Sequence, residues 1–107
     1  MSKHVVLLVE ENPIARKLLR LALESEGCTV IEAGGGTAAV EAATRYRPDF
    51  LVLAQTLRDA QAPELLAEIR AKAGAPALPA FVVSGTVSRL DELTEIARKV
   101  RSALERR

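Results

Sequence analysis

Pro48-Asp49-Phe50-Leu51-Val52-Leu53-Ala54 is the stretch on which the fold turns. Phe50 to Ala54 is an unbroken apolar run, too short for a comfortable helix, and Pro48 bars a helix from running into it. Polar Gln55 and Thr56 follow. Such a run suits a strand covered on both faces, as in a parallel sheet. In open α/β sheets the chemistry gathers just beyond the carboxyl ends of such strands. Here that end carries Ala54, a methyl group that cannot donate, accept or coordinate. The chain therefore says more about which chemistry it lacks than about which partner it binds.

Towards the amino end, Val5 to Val9 reads Val-Val-Leu-Leu-Val, a second buried strand with Glu10 and Glu11 at its carboxyl end. Asn12 is a good N-cap and Pro13 suits the first helical position. Ile14, Leu18 and Leu21, with Leu19 and Ala22, predict an apolar stripe along a helix that stops at Gly27. Thr29-Val30-Ile31 is a short strand. Gly34-Gly35-Gly36 is a permissive turn, and Thr37 is expected to cap a small-residue helix through Ala38, Ala39, Val40, Ala42 and Ala43.

Beyond the central strand comes a polar loop, Gln55 to Ala62. Pro63 and Glu64 then open a helix with Leu65, Leu66 and Ile69, ending near Gly74, and Pro76 and Pro79 prevent its continuation. Ala80-Phe81-Val82-Val83-Ser84 is a fourth strand. After a Gly85-Thr86 turn, Ser88-Arg89-Leu90-Asp91 fits a capping box, and the last helix runs nearly to Arg107. The order β-α-β-α-β-α-β-α predicts an α/β domain: a doubly wound parallel sheet with helices on both faces and right-handed crossovers.

A chain of 107 residues makes one domain. Its formal net charge of +1 offers nothing to nucleic acid or an anionic membrane, and its three aromatic residues (one Tyr, two Phe) leave no stacking platform. Cys28 is the only cysteine, so no internal disulfide is possible and a reducing cytoplasm is the simplest setting. No run approaches the ~18 apolar residues of a membrane span, and the start does not read as a signal peptide.

With the elements placed, the chain resembles the response-regulator receiver domains of two-component signalling. The likeness is carried by Val-Leu-Leu-Val-Glu-Glu-Asn-Pro (6–13), with Arg16 and Leu19 beyond it, by Leu-Glu-Ser-Glu-Gly-Cys-Thr-Val (23–30), and by Ala33–Val40, Pro48–Leu53 and Phe81–Ser84. It implies a flavodoxin-like, CheY-like open sheet, of family strand order 2-1-3-4-5. Gly85 to Val87 leads at once into the last helix, so the expectation here is 2-1-3-4, with the usual fourth helix and fifth strand missing. Residues 1–107 are then a single truncated receiver-like domain. The last segment resembles the family's terminal helix joined directly to the fourth strand. The other reading makes it the fourth helix, with the chain stopping there.

The resemblance also assigns a site. Glu10 and Glu11 occupy the positions of the Mg²⁺-binding acidic pair, Ala54 stands where a phosphate-accepting Asp ends the third strand, and Ser84 matches a Thr or Ser at the end of the fourth. The family's aromatic residue in the fifth strand and its following Lys-Pro find no match. This implies a degenerate phospho-acceptor pocket, with no catalytic residue, metal or cofactor. Asp59, on a loop past the strand end, and Asp49, at the other end of the strand, are not placed to replace the acceptor. Glu10 and Glu11 could hold a divalent cation weakly, but two solvated carboxylates near a helix N-terminus is the plainer reading.

The expected function is that of a non-phosphorylatable receiver-like domain, not an enzyme. It would serve as a protein–protein interaction module, a pseudo-receiver that pairs as a homodimer in two-component or phosphorelay signalling. The candidate interface is the edge strand, Phe81, Val82 and Val83, with Leu90, Leu93, Val100 and Leu104 of the last helix. Leu90, Leu93, Ala97, Val100 and Leu104 form a heptad-like seam whose first reading is packing on the domain's own sheet and whose second is a dimer contact. The alternative function is a small-ligand binder or enzyme using the crevice beyond Val9, Ala54 and Ser84, and a third reading is a fragment of a longer regulator. The triple glycine lacks the spacing of a phosphate loop. His4 is expected at the surface, Cys28 as a packed side chain, and the basic residues of the last helix as a solvated face.

Overall fold

The computed structural model describes residues 4–55, 57–84 and 90–106. Short apolar runs and amphipathic segments alternate as β1 (Val5–Val9), α1 (Pro13–Ser25), β2 (Thr29–Ala33), α2 (Gly36–Tyr46), β3 (Phe50–Ala54), α3 (Ala62–Lys72), β4 (Ala80–Val83) and α4 (Leu90–Glu105). The strands form one 4-stranded sheet, ordered β2-β1-β3-β4 and parallel at every pairing. Between β4 and α4 lie only residues 84–89, too few for a further helix and strand. The expected flavodoxin-like sheet of order 2-1-3-4 is therefore the observed one.

Successive side chains of a strand point to opposite faces, and each central strand feeds two cores. Val6, Leu8, Phe50, Val52 and Val83 pack with α1 and α4. Leu7, Val9, Leu51 and Leu53 pack with α2 and α3. An unbroken apolar run is what a strand covered on both faces requires.

The placement of α4 decides between the two readings of the last helix. It packs beside α1, on the face opposite α2 and α3. A right-handed crossover from β4 to a strand further out would carry its helix on the α2–α3 face, as α3 does between β3 and β4. α4 is thus a closing helix for the α1 face, as the first reading expected.

Three expectations need correction. Leu93, Val100 and Leu104 drop out of the candidate interface: with Ile96 and Ala97 they are buried in the α1–sheet core, as the first reading of the seam expected, and so is Val83. Of the candidate interface, Phe81 and Val82 keep exposed surface, while the Leu90 side chain, like Gly85–Arg89 of the predicted turn and capping box, lies outside the described residues. In α1 the core takes Leu19 and Leu23, leaving Ile14, Leu18 and Leu21 at 71%, 38% and 47% exposure. Arg16 lies on the same inner face, its Nη1 donating to the Glu10 carbonyl at 2.8 Å. Leu19 and Leu23 follow Arg16 at i+3 and i+7 and so share its face. Finally, α2 begins at Gly36 and Thr37 is not its cap.

Candidate functional site

The carboxyl ends of β1, β3 and β4 form the crevice in which the site residues were expected. Val9 pairs with Leu53 and Ala54 with Val83, so one step on the register sets Glu10 beside Ala54. Ser84 sits exposed just past β4. The four positions do converge on one end of the sheet.

The two glutamates are engaged by backbone donors. The Glu10 N–H extends the sheet by donating to the Ala33 carbonyl at 3.1 Å, and its Oε2 accepts from the Asn12 N–H at 3.0 Å. Asn12 Oδ1 in turn caps α1, accepting from the Ile14 and Ala15 N–H groups at 2.9 and 3.0 Å. Oε1 of Glu11 accepts from the Arg58 N–H, and its Oε2 lies 3.6 Å from Arg58 Nε. Arg16 and Arg20 grip Glu32 at the end of β2, each through Nε at 3.2 Å. Ala54 contributes a methyl that packs against the α2–α3 core.

Asp59 is the residue whose role the sequence hid. Its Oδ1 accepts from the Gly36 N–H at 3.0 Å and its Oδ2 from the Thr37 N–H at 3.3 Å. The loop supplies from outside the helix the cap that Thr37 was expected to give from within. The glycine turn makes room for it: a Cβ on Gly36 would lie 3.1 and 3.2 Å from the two carboxylate oxygens. The helix N-terminus that a phosphate might have used is occupied by the protein's own anion. The signal was present as a glycine-rich helix start and an unassigned acid in the loop after β3, but nothing local joined them.

The Gly36 hydrogen bond, with that of Thr37, holds the Asp59 carboxyl below its ordinary pKa against an opposing desolvation effect. A depressed carboxylate stabilises the fold fully above its unfolded-state pKa, about 4, and loses that contribution as pH falls through the folded value. Asp59→Asn is therefore expected to melt below the wild type at pH about 7, and the gap should close as pH drops below about 4. Paired thermal melts across that range check this, and a gap that widens in acid would contradict it.

Asp49 is engaged at the opposite end of the sheet, accepting from the Val5 N–H at 2.8 Å. Cys28 is buried and reduced, and its thiol is pushed up by desolvation, which disfavours the reactive thiolate. His4 is exposed. Mg²⁺ asks for a near-octahedral set of oxygens. Among the described residues no three of His, Cys, Asp and Glu gather to hold a metal. Glu10 and Glu11 accept from backbone N–H groups, and β3 contributes a methyl at its carboxyl end.

Residues 6–103 match the response regulator receiver domain. The chain belongs to that family. This receiver domain is 34% identical over 79 residues to the probable transcriptional regulatory protein TcrX of Mycobacterium tuberculosis, covering 74% of this chain and 33% of that one. It is also 34% identical over 92 residues to the KDP operon transcriptional regulatory protein KdpE of Escherichia coli, covering 85% of this chain and 39% of the other. It thus spans between a third and two fifths of the length of these curated relatives. Among solved structures, the receiver domain of AraT, a response regulator from Geobacillus stearothermophilus, superposes with a TM-score of 0.81 at 22% identity, over 98% of both chains. A CheY-like receiver domain protein from Methanospirillum hungatei gives 0.79 at 17% identity, over 98% of this chain and 96% of that one. A receiver domain is a signalling module, and two-component signalling is the setting of this one.

Proposed function

We propose that this receiver domain takes no phosphoryl group and works by docking, as a pseudo-receiver whose first partner is a second copy of itself. The observation that carries the proposal is Ala54. Acyl phosphate formation needs a carboxylate oxygen in line with the phosphorus of the donor, and a methyl group has no lone pair to offer. Neither flanking aspartate is free to stand in: Asp59 is committed to the start of α2, and Asp49 sits at the far end of the sheet. Without an acceptor there is no reaction for Glu10, Glu11 or Ser84 to assist, so the reading includes no enzyme activity and no metal cofactor. A cytoplasmic setting suits the single reduced cysteine.

The docking half of the proposal draws on β4. It stands at the border of the sheet, and Val82 is 40% exposed there. An apolar edge strand without Lys or Pro in its run is unprotected against pairing.

Incubating the protein with Mg²⁺ and acetyl phosphate and then measuring its intact mass tests the central claim. The mass is expected to stay unchanged. A gain of one phosphoryl group would end the proposal.

A further inference from the structure

The border of the sheet and the flank of α4 beside it together define what a second copy would have to match. We infer that two copies join antiparallel, β4 against β4 and α4 against α4, about a two-fold axis perpendicular to the sheet. The inference rests on the docking reading and adds to it the geometry and the charges that select the partner.

The edge comes first. Pro79 and Val83 turn their carbonyls inward, accepting from the Leu51 and Gln55 N–H groups at 3.0 Å each. Amide direction alternates along a strand, so the N–H and C=O of Ala80 and Val82 point outward, and among the described residues no strand lies beyond them. Two such outward pairs are what an antiparallel partner strand requires.

Next to that edge runs a groove with Phe50, Ala80 and Phe81 on one side. Its other side is the flank of α4, with Glu95, Arg98, Lys99 and Arg106. Charge along this helix is segregated. Its first half holds Asp91, Glu92 and Glu95 and no base, whereas its second half holds Arg98, Lys99 and Arg101 against Glu105, with Arg106 just past its end. Arg101 is held within the chain by Glu26 at 3.1 Å and Glu105 at 3.7 Å, so the bases that line the groove are Arg98, Lys99 and Arg106. Asp91 and Glu92 precede Glu95 by four and three residues and so continue its flank.

A two-fold axis perpendicular to the sheet makes the two β4 strands antiparallel and keeps both α4 helices on the same face. The acidic start of each helix then lies opposite the basic end of the other. The patch is self-complementary, as an isologous interface must be. A parallel arrangement would set like charges against each other instead, which opposes pairing. The groove of each copy, basic over its Arg98–Arg106 wall, receives the acidic half of its neighbour.

Two double variants test this, E92K/E95K and R98E/K99E, all at exposed positions. In sedimentation equilibrium the wild type is expected to dimerise, with an affinity that falls as salt is raised. Each variant alone should pair at least about tenfold more weakly, since each sets two acidic or two basic halves together. An equimolar mixture of the two should recover pairing as a heterodimer, and only folded variants can do so. Variants that dimerise as tightly as the wild type, or a mixture no tighter than either variant alone, would overturn this geometry while leaving a dimerising module intact. A wild type that stays monomeric throughout would overturn the second copy as partner as well, independently of the phosphodonor result.

Discussion

Truncating Leu104 to alanine is expected to remove about 2–5 kcal/mol of folding free energy, the usual cost of deleting a buried leucine side chain. Leu104 is 2% exposed and lies in the cluster formed by Leu8, Leu19, Leu23, Val52 and Val100, where α4 closes over the sheet. A domain of this size is stable by about 5–15 kcal/mol, so the loss is a large fraction of the whole. Urea unfolding should show a lower midpoint with an unchanged slope. Leu21→Ala serves as the contrast: its side chain is 47% exposed on the outer side of α1, and its cost should stay within about 0.5 kcal/mol. The pair also separates two roles for α4. A dimer-contact leucine would leave the unfolding midpoint of the dilute monomer unmoved and weaken association instead. An L104A variant with wild-type stability would mean that α4 does not seal the α1 face.

The strands were legible because β1 and β3 are apolar at every position, which only a strand covered on both faces tolerates in so short a run. Strand order is a different matter. Periodicity does not contain it, and it came instead with the family resemblance. The phase of α1 was hidden because leucines at 18, 19, 21 and 23 surround much of the helix, so either side could have been the inner one. The inner side is the one that also sets Arg16 against the backbone turn that leaves β1. The site divides in the same way. Ala54 could be read directly, since a strand end is a position in the sequence. The engagement of Glu11 by Arg58 spans 47 residues and the capping of α2 by Asp59 spans 23, and such contacts exist only once the loop after β3 has folded back over the sheet.

Ala54→Asp is expected to convert this end of the sheet from indifferent to Mg²⁺ into a site that responds to it. The register places residue 54 beside Glu10, about 5 Å away across neighbouring strands. Without metal, a third carboxylate in the crevice adds like-charge repulsion and should lower the melting temperature. Divalent cation then binds the folded state only, and stabilises it by RT ln(1 + [Mg²⁺]/Kd), about 1.4 kcal/mol at ten times Kd. For a domain of roughly 100 residues that corresponds to a rise of about 5–10 °C. The wild type, with two carboxylates already bonded to backbone N–H groups, should show no rise beyond that of a monovalent salt at equal ionic strength. Thermal melts of both proteins, with MgCl₂ and with NaCl, decide the matter. An equal Mg²⁺-specific rise in the wild type would mean that Glu10 and Glu11 hold the ion without help from β3, and the methyl group would no longer explain the silence of the pocket. A rise confined to the variant would locate the loss of family chemistry in one side chain, because the strands, the register and both neighbouring acids are the same in the two proteins.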